Sequence, residues 1–128
     1  MLIDTSVWIE FLRAKGDPIM KSQVSQLMVQ ECGAYTCPVS FELNLGAKPH
    51  ELKDLQTGLS LALRIKATPD DWDTAAKAAA MLRQKGRNFP ALDLLIAAVA
   101  CREKVLLVSK DGHFVMIRDH AMPALQLM

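Results

Sequence analysis

Four acidic residues stand where an apolar segment ends or where charge has no structural business: Asp4, Glu42, Asp93 and Asp111. Asp4 follows Met1-Leu2-Ile3, and Glu42 lies in Ser40-Phe41-Glu42-Leu43. Asp93 interrupts Ala91-Leu92-Asp93-Leu94-Leu95-Ile96, and Asp111 follows Val105-Leu106-Leu107-Val108-Ser109-Lys110. Gathered in one place, they form a carboxylate cluster that a divalent cation must neutralise. Such a cluster points to metal-dependent phosphodiester chemistry.

Asp93 is the most informative of the four. It is the only charged residue from Ala91 to Cys101, a run that is apolar all round and therefore belongs to a helix buried on most sides. An unpaired carboxylate buried there costs several kcal/mol. Asp4 doubles as a candidate helix cap, and Asp111-Gly112 also reads as a turn. Phe41, Leu43 and Leu45 make the segment around Glu42 mostly buried. Ser109 can hydrogen-bond a carboxylate at its strand end.

The elements that must position these residues follow from period and punctuation. Met1 to Asp4 reads as a short buried strand. Ser6 caps a first helix over Val7 to Arg13, and Asp17-Pro18 opens a second, to about Gln30. Ala34 to Cys37 is a second strand, and Pro38 begins a helix carrying Glu42 to Gly46. Pro49 opens a short helix ended near Gly58, and Leu61 to Ile65 alternates as a strand. Thr68-Pro69-Asp70-Asp71 starts a helix that runs to Gly86, and Pro90 starts the next, to about Glu103. Val105 to Ser109 is the clearest buried strand, followed by a turn, a short helical piece at Phe114, and a closing strand within Ala124 to Leu127.

Strands alternating with helices imply an α/β three-layer sandwich with a mostly parallel central sheet. Ligands of such sheets bind beyond the carboxyl ends of the strands, where Asp4 and Asp111 both fall. Residues 1–128 read as one domain, without repeat or linker. The formal charge is +1. With four acids confined to a metal site, 15 basic residues face ten others, a surplus of about +5 that favours a polyanion. The three cysteines fit no zinc pattern and read as buried free thiols of a reducing cytosol. No apolar run reaches the roughly 20 residues of a bilayer span, so a cytoplasmic protein without a membrane partner is expected.

Other residues read as structure: Asp70, Asp71 and Asp73 as helix-start acids, Trp8, Trp72, Phe89 and the methionines as core; His113 could reach the site edge but reads first as an exposed loop residue. Arg13, Lys48, Arg87 and Lys110 lie near the motif ends as candidate phosphate contacts. No glycine-rich phosphate loop and no nucleophile elbow is present.

Taken together, the segments resemble a known family. Leu2-Ile3-Asp4-Thr5-Ser6-Val7-Trp8-Ile9-Glu10-Phe11-Leu12 closely resembles the opening of PIN-domain ribonucleases, in particular the VapC-type toxins of toxin–antitoxin pairs. Phe41-Glu42-Leu43 with Gly46 is similar to the second motif, Asp93 to Ala98 to the third, and Leu107-Val108-Ser109-Lys110-Asp111 with Phe114 to the fourth. Ser109 stands where threonine is more usual. The resemblance implies an endoribonuclease in which Asp4, Glu42, Asp93 and Asp111 hold Mg2+ or Mn2+ and carry catalysis. Ser6 and Ser109 are then supporting hydroxyls. It also implies an RNA substrate, a cognate VapB-like antitoxin that inserts a segment near the acidic pocket, and a homodimer. Two other classes stand beside this one: a catalytically silent RNA- or protein-binding module on the same fold, and a receiver-like signalling domain. The receiver design wants paired acids after the first strand, where this chain has Asp4 alone.

Overall fold

The computed structural model describes residues 1–128. Five short strands alternate with helices: β1 (Leu2–Ile3), α1 (Thr5–Leu12), α2 (Pro18–Val29), β2 (Ala34–Thr36), α3 (Cys37–Gly46), α4 (Leu52–Ser60), β3 (Leu63–Ile65), α5 (Pro69–Gln84), α6 (Ala91–Glu103), β4 (Leu106–Val108), α7 (His113–His120) and β5 (Gln126–Leu127). A single 3-10 turn over Pro49–Glu51 leads into α4. The strands form one sheet in the order β3-β2-β1-β4-β5, and every pairing is parallel. The expected mostly parallel sheet is thus wholly parallel.

The central strand β1 pairs on both sides, Leu2 with Ala34 and with Leu107, and Ile3 with Val108. From β1 the chain steps outward through β2 to β3, then crosses back to β4 and β5. The order therefore reverses between β1 and β4, which is where doubly wound sheets open a ligand crevice. The helices pack in two groups, α1 with α2, α3 and α4, and α5 with α6 and α7. α3 also touches α6, and that contact draws Glu42 towards Asp93.

Short strands suffice because the core is continuous through them. Leu2, Ile3, Trp8, Leu107, Phe114 and Ile117 are fully buried in one cluster. α6 is buried from Asp93 to Ala100, which explains its apolar run. α5 packs against α6, and Ala75 and Ala78 of α5 are buried, as are Ala97, Ala98 and Ala100 of α6. The core assignments divide: Met122 is buried and Met1, Met20, Met28 and Phe89 pack partly buried against the core, whereas Trp72, Met81 and Met128 are exposed. The cysteines are free, but Cys32 is exposed rather than buried. No helix is long and apolar enough to cross a membrane.

An ion pair between buried Asp71 and the partly exposed Arg102 ties α5 to α6. Asp71 closes a capping box with Thr68, accepting from the Thr68 backbone at 2.8 Å. It also accepts from Arg102 Nε at 2.9 and 3.1 Å. Its side chain is only 2% exposed, so it is far more than a helix-start acid. Arg102 and the Thr68 donors hold its carboxyl below the ordinary range against the opposing effect of burial. A carboxyl lowered on folding stabilises the protein above the ordinary range, and that stability is lost as pH falls through the folded value. Asp71→Asn is expected to cost about 2 kcal/mol in urea denaturation at neutral pH, with the difference from wild type shrinking in acid.

Candidate active site

Asp4 is where β1 becomes α1. Its backbone is extended and its N–H still reaches Val108 O at 2.9 Å, so it belongs to the sheet as much as to the helix. Asp4 itself is the N-cap, not Ser6, and Ser6 lies in the first turn. Three donors converge on Asp4 Oδ2: Ser6 N at 3.3 Å, Ser6 Oγ at 2.8 Å and Ser109 Oγ at 2.9 Å. The two hydroxyls are in turn acceptors, Ser6 Oγ from Lys110 N at 3.1 Å and Ser109 Oγ from Asp111 N at 2.9 Å. A pair of serines thus stitches the end of β1 to the end of β4. Asp4 is 3% exposed, and its Oδ1 is left for another partner.

Asp93 enters from the first turn of α6 and is 7% exposed. Its Oδ2 lies 2.9 Å from His113 Nδ1, and the same nitrogen lies 3.3 Å from Asp111 Oδ1. Asp111 is half-buried, and its Oδ1 also accepts the His113 backbone N–H at 2.9 Å. Burial pushes the Asp93 carboxyl above its ordinary range; the His113 hydrogen bond opposes this, while Asp4 and Asp111 add to it. The hydrogen bond to Asp93, supported by the charge of Asp111, lifts the His113 ring above the usual histidine value despite some desolvation.

Glu42 projects from the middle of α3 and accepts from Thr5 Oγ1 at 2.8 Å. Its neighbours Phe41 and Leu45 are 60% and 75% exposed, so the expected apolar wrapping of this segment is absent. α3 instead turns Val39 and Leu43 inward and leaves Glu42 half-buried at the site. Burial raises the Glu42 carboxyl, Thr5 opposes, and Asp93, Asp4 and Asp111 each add repulsion. All four sequence-selected acids therefore share one electrostatic neighbourhood at the carboxyl edge of the sheet.

Two participants were not selected from sequence. His113 is side-chain exposed, as expected, but it opens α7 with its ring turned onto two carboxylates. Thr5, adjacent to Asp4, reaches Glu42 through a contact 37 residues distant in sequence. Two of the candidate phosphate contacts share an acidic neighbour. Lys110 Nζ is 3.1 Å and Arg13 Nη1 3.7 Å from Glu10, which pairs with both.

The donor set fits a divalent cation. Two nearly buried carboxylates have no cationic side chain other than His113 against them, and such charge demands compensation. Ligand atoms of Asp93, Asp111 and His113 lie within 4.8 Å of one another. Oxygen-rich sets of this kind suit Mg2+ and Mn2+.

The sequence matches the PIN-domain family model over residues 1–119, and the chain belongs to that family. It is 31% identical over 127 residues to ribonuclease VapC11 of Mycobacterium tuberculosis and to a VapC ribonuclease of Mycobacterium bovis, across 91% of this chain and 90% of theirs. Among solved structures it is similar to VapBC2 from Rickettsia felis, crystallised with a DNA fragment from its promoter. That likeness has a TM-score of 0.81 at 23% identity, covering 99% of this chain and 96% of the other.

Raised carboxyls imply a cost that metal-free protein must bear. A group whose folded pKa is raised binds its proton better when folded, so it withdraws stability as pH climbs above the ordinary carboxylate range. Glu42→Gln keeps an acceptor for Thr5 and removes the charge. In EDTA its melting temperature is expected to exceed wild type by a few degrees at pH 7.5, with the gain vanishing near pH 4.

Proposed function

We propose that this chain is a divalent-metal-dependent endoribonuclease and the toxin half of a toxin–antitoxin pair. The observation that carries this reading is the convergence of Asp4, Glu42, Asp93 and Asp111, in a family whose similar members are VapC ribonucleases. Mg2+ or Mn2+ held by these residues supplies Lewis-acid activation of a water and charge compensation at the leaving oxygen.

The chain's own residues supply orientation. Asp4 Oδ2 is saturated by the two serines, which leaves Oδ1 as its ligand atom and fixes the plane of the carboxylate. Asp93 is set by the first turn of a fully packed helix, whose dipole also favours its charge. Thr5 holds Glu42 Oε1 so that the carboxylate stays over the site. Small displacements in such positioning are costly to rate, which gives the supporting roles of Ser6 and Ser109 a physical basis.

The partners follow from surface as well as family. A groove of about 500 Å3 runs beside Glu42, lined by Ile9, Leu12, Leu43, Ala47 and Leu55 with Arg13 at its edge. Its mix of apolar walls and acidic end suits a VapB-like antitoxin segment, in keeping with the toxin–antitoxin complexes among the structural relatives. Phe41 and Leu45, one turn apart, leave a face of α3 apolar and uncovered, surface available to the proposed homodimer. Residues 1–128 act as one domain, and three unpaired cysteines accord with cytoplasmic residence.

Purified protein is expected to cleave a structured RNA pool with Mg2+ or Mn2+ and to stop in EDTA. Asp93→Asn and Asp4→Asn are each expected to lower the rate by about 10³-fold or more, on the scale of removing a principal electrostatic element, with circular dichroism unchanged. Undiminished cleavage in either variant removes that residue from the catalytic set. No cleavage by metal-loaded wild type across the pool favours the silent binding module.

A further inference from the structure

We propose that His113 is a nitrogen ligand of the cation held by the acidic cluster, and that it makes this site favour Mn2+ over Mg2+. The inference rests on the metal-site reading above and adds a fifth residue to it.

The geometry is that of neighbouring ligands. His113 Nδ1 is 2.9 Å from Asp93 Oδ2 and 3.3 Å from Asp111 Oδ1. An octahedral ion with bonds of about 2.0–2.2 Å sets adjacent ligand atoms about 3 Å apart. His113 Nδ1 is therefore spaced from both carboxylates as a neighbouring ligand would be, and all three donor atoms fall within 4.8 Å of one another. The ring is also held in place. Its backbone N–H is tied to Asp111 Oδ1 at 2.9 Å, and Phe89 packs edge-on against it with centroids 5.3 Å apart at 71°. A histidine with 46% of its side chain exposed has many rotamers open to solvent. This one turns Nδ1 inward instead.

The chemical consequence is selectivity. Mg2+ takes oxygen ligands and dehydrates reluctantly, so an imidazole adds little to its affinity. First-row transition ions accept imidazole nitrogen, and affinity for mixed nitrogen–oxygen sites rises from Mn2+ onward. His113 would hold the ion through neutral Nδ1, beside the oxygens of Asp93 and Asp111. An all-carboxylate site lacks this bias.

The test is pulsed electron paramagnetic resonance on full-length protein carrying one equivalent of Mn2+, prepared with 15N-histidine. Wild type is expected to show 15N coupling to the manganese. His113→Ala and His113→Gln, labelled alike and folded by circular dichroism, are expected to lose it, which excludes His50 and His120 as its source. Competition between Mn2+ and Mg2+, followed by the signal of free Mn2+, is expected to show the preference for Mn2+ reduced about tenfold in both variants. The glutamine variant keeps a polar side chain in place should the alanine variant fold poorly. Mn2+ bound to wild type without histidine coupling overturns the proposal and leaves the carboxylate site standing. An unchanged Mn2+/Mg2+ ratio in the variants also overturns it. Wild type that binds no Mn2+ at all overturns both this proposal and the metal site beneath it.

Discussion

Four carboxylates held at one edge of a small sheet, two of them nearly buried, are the constraint around which the rest of the molecule is arranged. Asp4 and Asp93 are nearly buried, Glu42 and Asp111 half so; burial raises the carboxyls of Glu42 and Asp93, and the charges of Asp4 and Asp111 add to both. Nothing in the apolar core favours this arrangement. It persists because each acid is attached to an element that the core holds independently: β1, α3, the first turn of α6 and the loop after β4. The fold imposes closeness on groups that would otherwise separate, a cost that a bound cation would convert into affinity.

Around the acids lies a layer of small polar groups that fixes orientation without adding charge. Ser6 and Ser109 share Asp4 Oδ2 and pass their other bonds to the backbone of Lys110 and Asp111. The first and fourth strands are therefore locked at the site by side chains as well as by the ladder. Serine at position 109 serves this role with its hydroxyl alone. Glu10 repeats the device further out, accepting from the Asp17 backbone at 2.8 Å and from Lys110 at 3.1 Å. It is thus an acid that joins α1, the start of α2 and the β4–α7 loop.

Much of this was legible in the residues. Strand–helix alternation, the Pro-marked helix starts at Pro18 and Pro69, and the apolar run after Pro90 located the elements to within a few residues. Asp93 stood out because charge in an all-apolar helix needs a reason. What escaped was decided by tertiary direction. Whether Phe41 and Leu45 face the core or solvent depends on which side of α3 meets the sheet, and their type alone points the wrong way. His113 looks like any loop histidine until α7 is seen to begin there and to aim the ring at Asp93. Asp71 shows its burial only once Arg102, 31 residues later, closes over it.

The most direct measurement is the melting temperature of wild type and Asp93→Asn as Mn2+ is titrated into metal-free protein at pH 7.5. If the acids form one cation site, wild-type stability rises with the logarithm of Mn2+ concentration, reaching about 2.7 kcal/mol at a hundred times the dissociation constant. Asp93→Asn starts from a comparable fold and rises little. A wild-type melting temperature indifferent to Mn2+, or an equal rise in the variant, contradicts a site built on these carboxylates.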